Sequence, residues 1–192
     1  MKNEFHERLN RILPRLTSDN LLASRGLGNE IGYWIFDYPP EHEMDVRSFL
    51  GTVLTPALSK RQPQLRFAVV NLFELAIGLL QERNLLERVF KGQLSFGNKD
   101  SLVKLGSVLQ EDKLAQRIAS LHDLNQLDLV LLTGVGAAYP MVRSHTLLTA
   151  LQARMKETPL VLFYPGRYDG FSLRLFNILA DDHYYRAFRL AE

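Results

Sequence analysis

Between Leu127 and Phe171 two short apolar runs, LDLVLLT and PLVLFY, each end in a glycine-bearing turn, and one helical stretch separates them. Short apolar runs alternating with helical patterns are what βαβ units of a parallel sheet look like in sequence. The same alternation extends to the rest of the chain. Phe5, Leu9, Ile12, Leu13 and Leu16 recur at helical spacing with Glu4, Glu7, Arg8, Arg11 and Arg15 opposite them. They predict an amphipathic helix that Pro14 ends or kinks. A short helical piece around Leu21 follows, capped by Ser18 and stopping near Gly26.

Strands are predicted over Ile31–Tyr38, Leu65–Val70, Leu127–Thr133, Leu160–Tyr164 and Tyr184–Leu190, with an irregular or short-strand segment before the last. Between them the pattern predicts a helix over Glu43–Leu58 bent at Pro56. Another is capped by Asn71, with Glu74 in capping-box position, and runs to about Phe90. Gly92–Asn98 reads as a turn. A further helix carries Leu105, Val108, Leu109, Leu114, Ile118 and Leu121 inward. The last begins at Pro140 and runs to about Met155. The expectation is one Rossmann-like α/β domain spanning residues 1–192. It has about five mostly parallel strands with helices on both faces, and residues 1–28 pack on it as an N-terminal helical segment.

Composition adds boundaries rather than a function. The chain of 192 residues carries 23 Lys plus Arg against 21 Asp plus Glu and contains no cysteine. Thiol nucleophiles, disulfides and cysteine-based metal sites are thereby excluded. Near-balanced charge does not suggest strong nonspecific nucleic-acid binding; the basic residues considered for DNA contact are Lys60, Arg61 and Arg66. The amino-terminal MKNEFHERLNR lacks an apolar core, so no signal peptide is expected. The most apolar window, Phe67–Leu80, contains Asn71 and Glu74 and is too short to span a bilayer.

In parallel sheets the loops after the strands' carboxyl ends form the usual binding edge. Asp37, Asn71, Glu74, Thr133, Arg167 and Asp169 are predicted to fall there, either as a site or simply as caps and turn residues. Thr133–Pro140 (TGVGAAYP) is the nearest approach to a phosphate loop, with Gly134, Gly136 and Arg143 as candidates. The P-loop lysine and the full GxGxxG spacing are missing. Tyr164–Gly170 (YPGRYDG) predicts an exposed turn. On it Arg167 and Tyr168, together with Tyr139, are candidate partner anchors, while pairing of Arg167 with Asp169 is the plainer alternative. The five histidines share no short metal-binding spacing. No metal or cofactor is assigned, and no complete catalytic set stands out.

The segments NEIGYWIFDYPPE (29–41), VVNLFELAIGLL (69–80), LLTGVGAAYPMVRSHTLLTAL (131–151) and PLVLFYPGRYDGFSLRLF (159–176) together resemble the BrxB family of the bacteriophage exclusion (BREX) defence systems. The resemblance covers nearly the whole chain. It implies a cytoplasmic bacterial protein that helps block phage DNA replication, without an assigned catalytic activity. It also implies partners: an ATPase, a phosphatase-like protein and a methyltransferase. The expected role is therefore a non-catalytic assembly subunit that reaches DNA only indirectly. The alternative is a degenerate nucleotide- or phosphate-binding domain.

Overall fold

The computed structural model describes residues 2–22, 32–61, 63–155, 158–181 and 187–192. In chain order the elements are α1 (Lys2–Leu16), α2 (Asp19–Leu22), β1 (Tyr33–Tyr38), α3 (Glu43–Phe49), α4 (Thr55–Ser59), β2 (Phe67–Asn71), α5 (Leu72–Glu82), α6 (Leu86–Val108), α7 (Glu111–Leu121), β3 (Leu129–Thr133), α8 (Val135–Ala138), α9 (Ser144–Gln152), β4 (Leu160–Tyr168), β5 (Leu173–Leu175), β6 (Leu179–Asp181) and β7 (Ala187–Arg189).

The main sheet runs β2-β3-β4-β1-β7, and every neighbouring pair in that path is parallel. The expected α/β class with five parallel strands is therefore what the chain forms. The strand order differs from the two common doubly wound orders. The fifth expected strand is β7; Tyr184 and its neighbours to residue 186 lie outside the described residues, as do Ile31 and Gly26. The short segment before it is a hairpin, β5 antiparallel to β4 and β6 antiparallel to β5.

Helices cover both faces because the strands are apolar on both. β3 (LVLLT) is buried at all five positions, as a central parallel strand must be. Alternate strand residues divide between two cores. Ile35, Val130, Leu132, Leu160, Leu162 and Tyr164 pack beneath α5, α7 and α9. Trp34, Phe36, Tyr38, Leu129, Leu131, Val161 and Phe163 pack beneath α1, α3 and α4. The inward stripe of α1 (Phe5, Leu9, Ile12 and Leu16) is buried in the second core, which holds this helix on the sheet.

Several boundaries differ from the sequence reading. The helix from Glu43 stays helical to Ser59, but Leu50–Leu54 is a π-helical turn between α3 and α4. Pro56 has no N–H to donate, and the ladder widens just before it so that Thr55 N–H bonds Leu50 O. The helix capped by Asn71 stops at Glu82, where Asn84 adopts φ 54. Gly92–Asn98 is not an open turn: both flanks are helical and the break contracts to Gly97, with φ 80 and ψ 177. Pro140 does not begin a helix. It lies between α8 and α9, after a cis Tyr139–Pro140 bond.

The expected turn at Pro165-Gly166 is strand. β4 continues to Tyr168, pairing Pro165 with Tyr38 on one side and Gly166–Tyr168 with β5 on the other. Gly166 permits this because a Cβ there would lie 2.1 Å from Arg174 O. No described helix is long and apolar enough to cross a membrane.

Candidate functional site

Two concavities lie at the carboxyl edge of the sheet. The first, about 320 Å³, is enclosed by α3, the π-helical turn and the ends of β2 and β3, and Tyr38, Glu43, Arg47, Asn71, Glu74, Thr133 and Gly134 line it. The strand-end residues Asn71, Glu74 and Thr133 thus do come together. Asn71 caps α5: its Oδ1 accepts from Phe73 N (3.0 Å) and Glu74 N (3.3 Å), and its Nδ2 donates to Glu74 Oε1 (3.1 Å). Glu74 therefore meets the side-chain amide of the cap rather than the cap's backbone N–H. The Tyr38 hydroxyl donates to Glu43 Oε2 at 2.6 Å, and Arg47 Nε donates to Glu43 Oε1 at 2.8 Å. Burial, then the bond to Glu43, pushes the Tyr38 hydroxyl far above its ordinary range, so it stays a neutral donor.

The second concavity, about 470 Å³, lies between the α8–α9 turn and the β5–β6 hairpin. Tyr139, Arg143, His145, Tyr164, Leu175 and Ile178 are on its walls. Tyr139 is 40 % exposed and meets Phe176 edge-on, and Ile178 is still more exposed. Arg143 is exposed at the start of α9. The two glycines of the presumed phosphate loop answer to close packing. Gly134 has φ 71, and a Cβ on it would sit 2.2 Å from Asn71 Oδ1. A Cβ on Gly136 would sit 2.9 Å from the Phe176 ring and 3.0 Å from Pro165. They let β3 pass directly into the single turn of α8 against β4 and β5.

The YPGRYDG segment divides. Arg167 is exposed, as expected. Tyr168 is only 1 % exposed, which corrects its placement on the surface; strand alternation turns it inward. Its hydroxyl donates to Gly170 O and Ala187 O, both at 2.9 Å. Asp169 uses both carboxylate oxygens on the turn, accepting from Phe171 N (2.8 Å), Ser172 N (2.7 Å) and Ser172 Oγ (2.9 Å). The Ser172 N–H foremost, then that of Phe171, lowers the Asp169 pKa to about 2. It is thereby committed to the turn rather than to Arg167. The residue directly across from Arg167 is Arg174, also exposed.

Asp37 is not a residue of the open edge. It is buried, 8 % exposed, and binds Arg8 Nη2 through Oδ1 (2.8 Å) and Tyr168 N–H through Oδ2 (2.9 Å), with Arg189 Nη1 at 4.0 Å. Arg8 also donates to the carbonyls of Asp37 and Ala191, and Arg189 donates to Tyr168 O. This cluster ties α1, β1, β4 and the carboxyl terminus together. The basic trio considered for DNA is likewise partly engaged: Arg66 is bidentate on Asp128 and Arg61 donates to Thr17 O, while Lys60 is exposed. His42 stacks on Phe5 and bonds Asp45 at 2.7 Å. Among the described residues no three His, Asp or Glu gather as a metal-holding group.

Residues 68–190 match the family described as BREX protein BrxB. The chain belongs to the BrxB family. A BREX protein BrxB of Escherichia coli O9:H4 (strain HS) is 43% identical over 183 residues, covering 95% of this chain and 90% of that protein. One of Bacillus cereus (strain H3081.97) is 38% identical over 199 residues, covering 98% of each. No solved structure matches. Membership in BrxB places the chain in the BREX system and supports a role in phage defence. Within this BrxB-family chain, sequence reasoning missed Arg174, Glu43, Arg47, Arg8 and Arg189. Glu43 and Arg47 stand at i, i+4 on a predicted helix, a spacing that does signal pairing. The others have no local signal, since register and tertiary packing bring them to their partners.

Proposed function

We propose that this BrxB-family chain is a non-catalytic assembly subunit that binds larger BREX components, the phosphatase-like protein, the ATPase or the methyltransferase, in the bacterial cytoplasm. On this reading its frame is Rossmann-like and it reaches DNA only through those partners. The observation that carries it is the cross-strand pair Arg167 and Arg174. Like charges directly opposite one another on a sheet are destabilising, and both of these are exposed. An acidic protein surface would relieve the repulsion, and Tyr139 and Ile178, exposed on the wall of the second concavity, offer apolar contact area of their own.

Co-expression of the tagged chain with the other proteins of its defence locus, followed by purification and native mass measurement, tests this. A stable complex that Arg167→Glu with Arg174→Glu weakens strongly, and Tyr139→Ala weakens further, is the expected result. Recovery of the chain alone at every salt concentration refutes the assembly role. Nucleotide binding draws little support from Gly134 and Gly136, given their packing. A thermal-shift titration with Mg²⁺–ATP to millimolar concentration discriminates, since a ligand of the folded state must raise its stability.

A further inference from the structure

The α6 segment is a helical hairpin. A side-chain carbon at Gly92 would lie 4.0 Å from Ser101 Oγ, nine residues on, which a continuous helix rising 1.5 Å per residue does not allow. The chain reverses at Gly97, and Gln93 Nε2 bonds Asn98 Oδ1 (2.9 Å) across the reversal. The base of the hairpin is anchored: Leu105 is buried in the core beneath α5 and α7, and Leu86, Val89, Leu102 and Val108 pack against that core. The distal part is not. Between residues 90 and 100, no described side chain is buried. Phe90 is 57 % exposed, Leu94 89 % and Val103 73 %. Phe90 and Leu94 stand one helical turn apart, and the Gly92–Ser101 contact brings Phe90 level with Val103. Three large apolar side chains left exposed along the hairpin match the anchor pattern by which a helix enters a groove.

Charge decides what kind of groove. The segment from Leu86 to Val108 carries Arg88, Lys91, Lys99 and Lys104 against Glu87 and Asp100, and Glu87 is already paired with Lys91 at 3.7 Å. A second copy of this hairpin would set cations against cations, so self-pairing is disfavoured. A bare phosphate backbone would leave the apolar side chains uncovered. We propose that the exposed face of the α6 hairpin is a second docking surface, separate from Arg167 and Arg174. Its occupant is a concave apolar groove with an acidic rim on another protein of the same defence system. This deepens the assembly reading, because a bridging subunit needs two surfaces.

The test is the co-expressed complex with Phe90→Ser plus Leu94→Ser, with Lys99→Glu plus Lys104→Glu, and with Arg167→Glu plus Arg174→Glu. Thermal unfolding of each purified chain checks that it stays folded. Both hairpin variants should lower the affinity for one component by about tenfold or more. They should leave a component lost with Arg167 and Arg174 still bound. If the wild-type chain binds components and both hairpin variants bind them equally well, this inference fails while the assembly reading stands. Loss of every component by the wild type defeats both. Sedimentation of the isolated chain showing a dimer that Phe90→Ser with Leu94→Ser dissolves, or loss of binding to a DNA duplex alone, would also overturn the protein-groove occupant.

Discussion

Replacing Asp37 by alanine should be among the more damaging single changes at a polar position of this fold. The carboxylate is buried and does two things: it accepts the Tyr168 N–H at 2.9 Å and faces Arg8 at 2.8 Å. Removing the acceptor leaves a buried backbone amide unpaired, at a cost of roughly 1–3 kcal/mol. The Arg8 contribution is smaller, since its side chain is 20% exposed and keeps the carbonyls of Asp37 and Ala191. About 1 kcal/mol is a fair value for a pair so screened. The total of about 3 kcal/mol corresponds to a fall in Tm of roughly 6–12 °C for a chain of this size. Asp37→Asn keeps an acceptor oxygen and should lose about half as much. The assay is thermal unfolding followed by circular dichroism, in a cycle with Arg8→Ala and the double variant, where a coupling of about 1 kcal/mol is expected. An Asp37→Ala protein melting within about 1 °C of wild type would refute the claim that this carboxylate ties α1, β1 and β4 together. Strict additivity with Arg8→Ala would refute the pairing.

Gly134→Ala should destabilise by about 3 kcal/mol, combining a left-handed backbone with displacement of the Asn71 cap, as read by denaturant unfolding. Asn71→Ala alone should cost about 1 kcal/mol. The double variant should be less destabilised than the sum, because the new Cβ no longer meets Asn71 Oδ1; a sum equal to the two parts would argue against that contact. Asp169 has a folded pKa near 2, below its ordinary 3.8, so its stabilising effect is fully present above about pH 4 and fades as pH falls toward 2. Asp169→Asn should therefore lower Tm at pH 6 and converge on wild type near pH 2, whereas a constant gap between them would contradict the turn assignment.

Periodicity alone determined the class of this fold. Apolar runs such as LDLVLLT and PLVLFY, separated by amphipathic helical stretches, are satisfied by a sheet covered on both sides, and α1 declares its buried stripe in Phe5, Leu9, Ile12 and Leu16. The Asn71 cap was legible for the same reason: capping is decided within four residues. What the tertiary structure decided lies beyond that range. Whether Pro165-Gly166 turns or continues as strand depends on Tyr38 on one side and Arg174 and Leu175 on the other, distant in sequence from one or both. That register then buried Tyr168, exposed Arg167 and set it opposite Arg174, so the polarity of a contact surface followed from a pairing no local pattern encodes. Asp37 became a buried anchor for Arg8 and Tyr168 in the same way. A break between Gly92 and Asn98 was legible, but its contraction to Gly97 and the reversal beside Gly92 and Ser101 are matters of packing. Local propensity and hydrophobic period are properties of neighbours along the chain. Exposure, ion pairing and the direction of a hairpin are properties of neighbours in space.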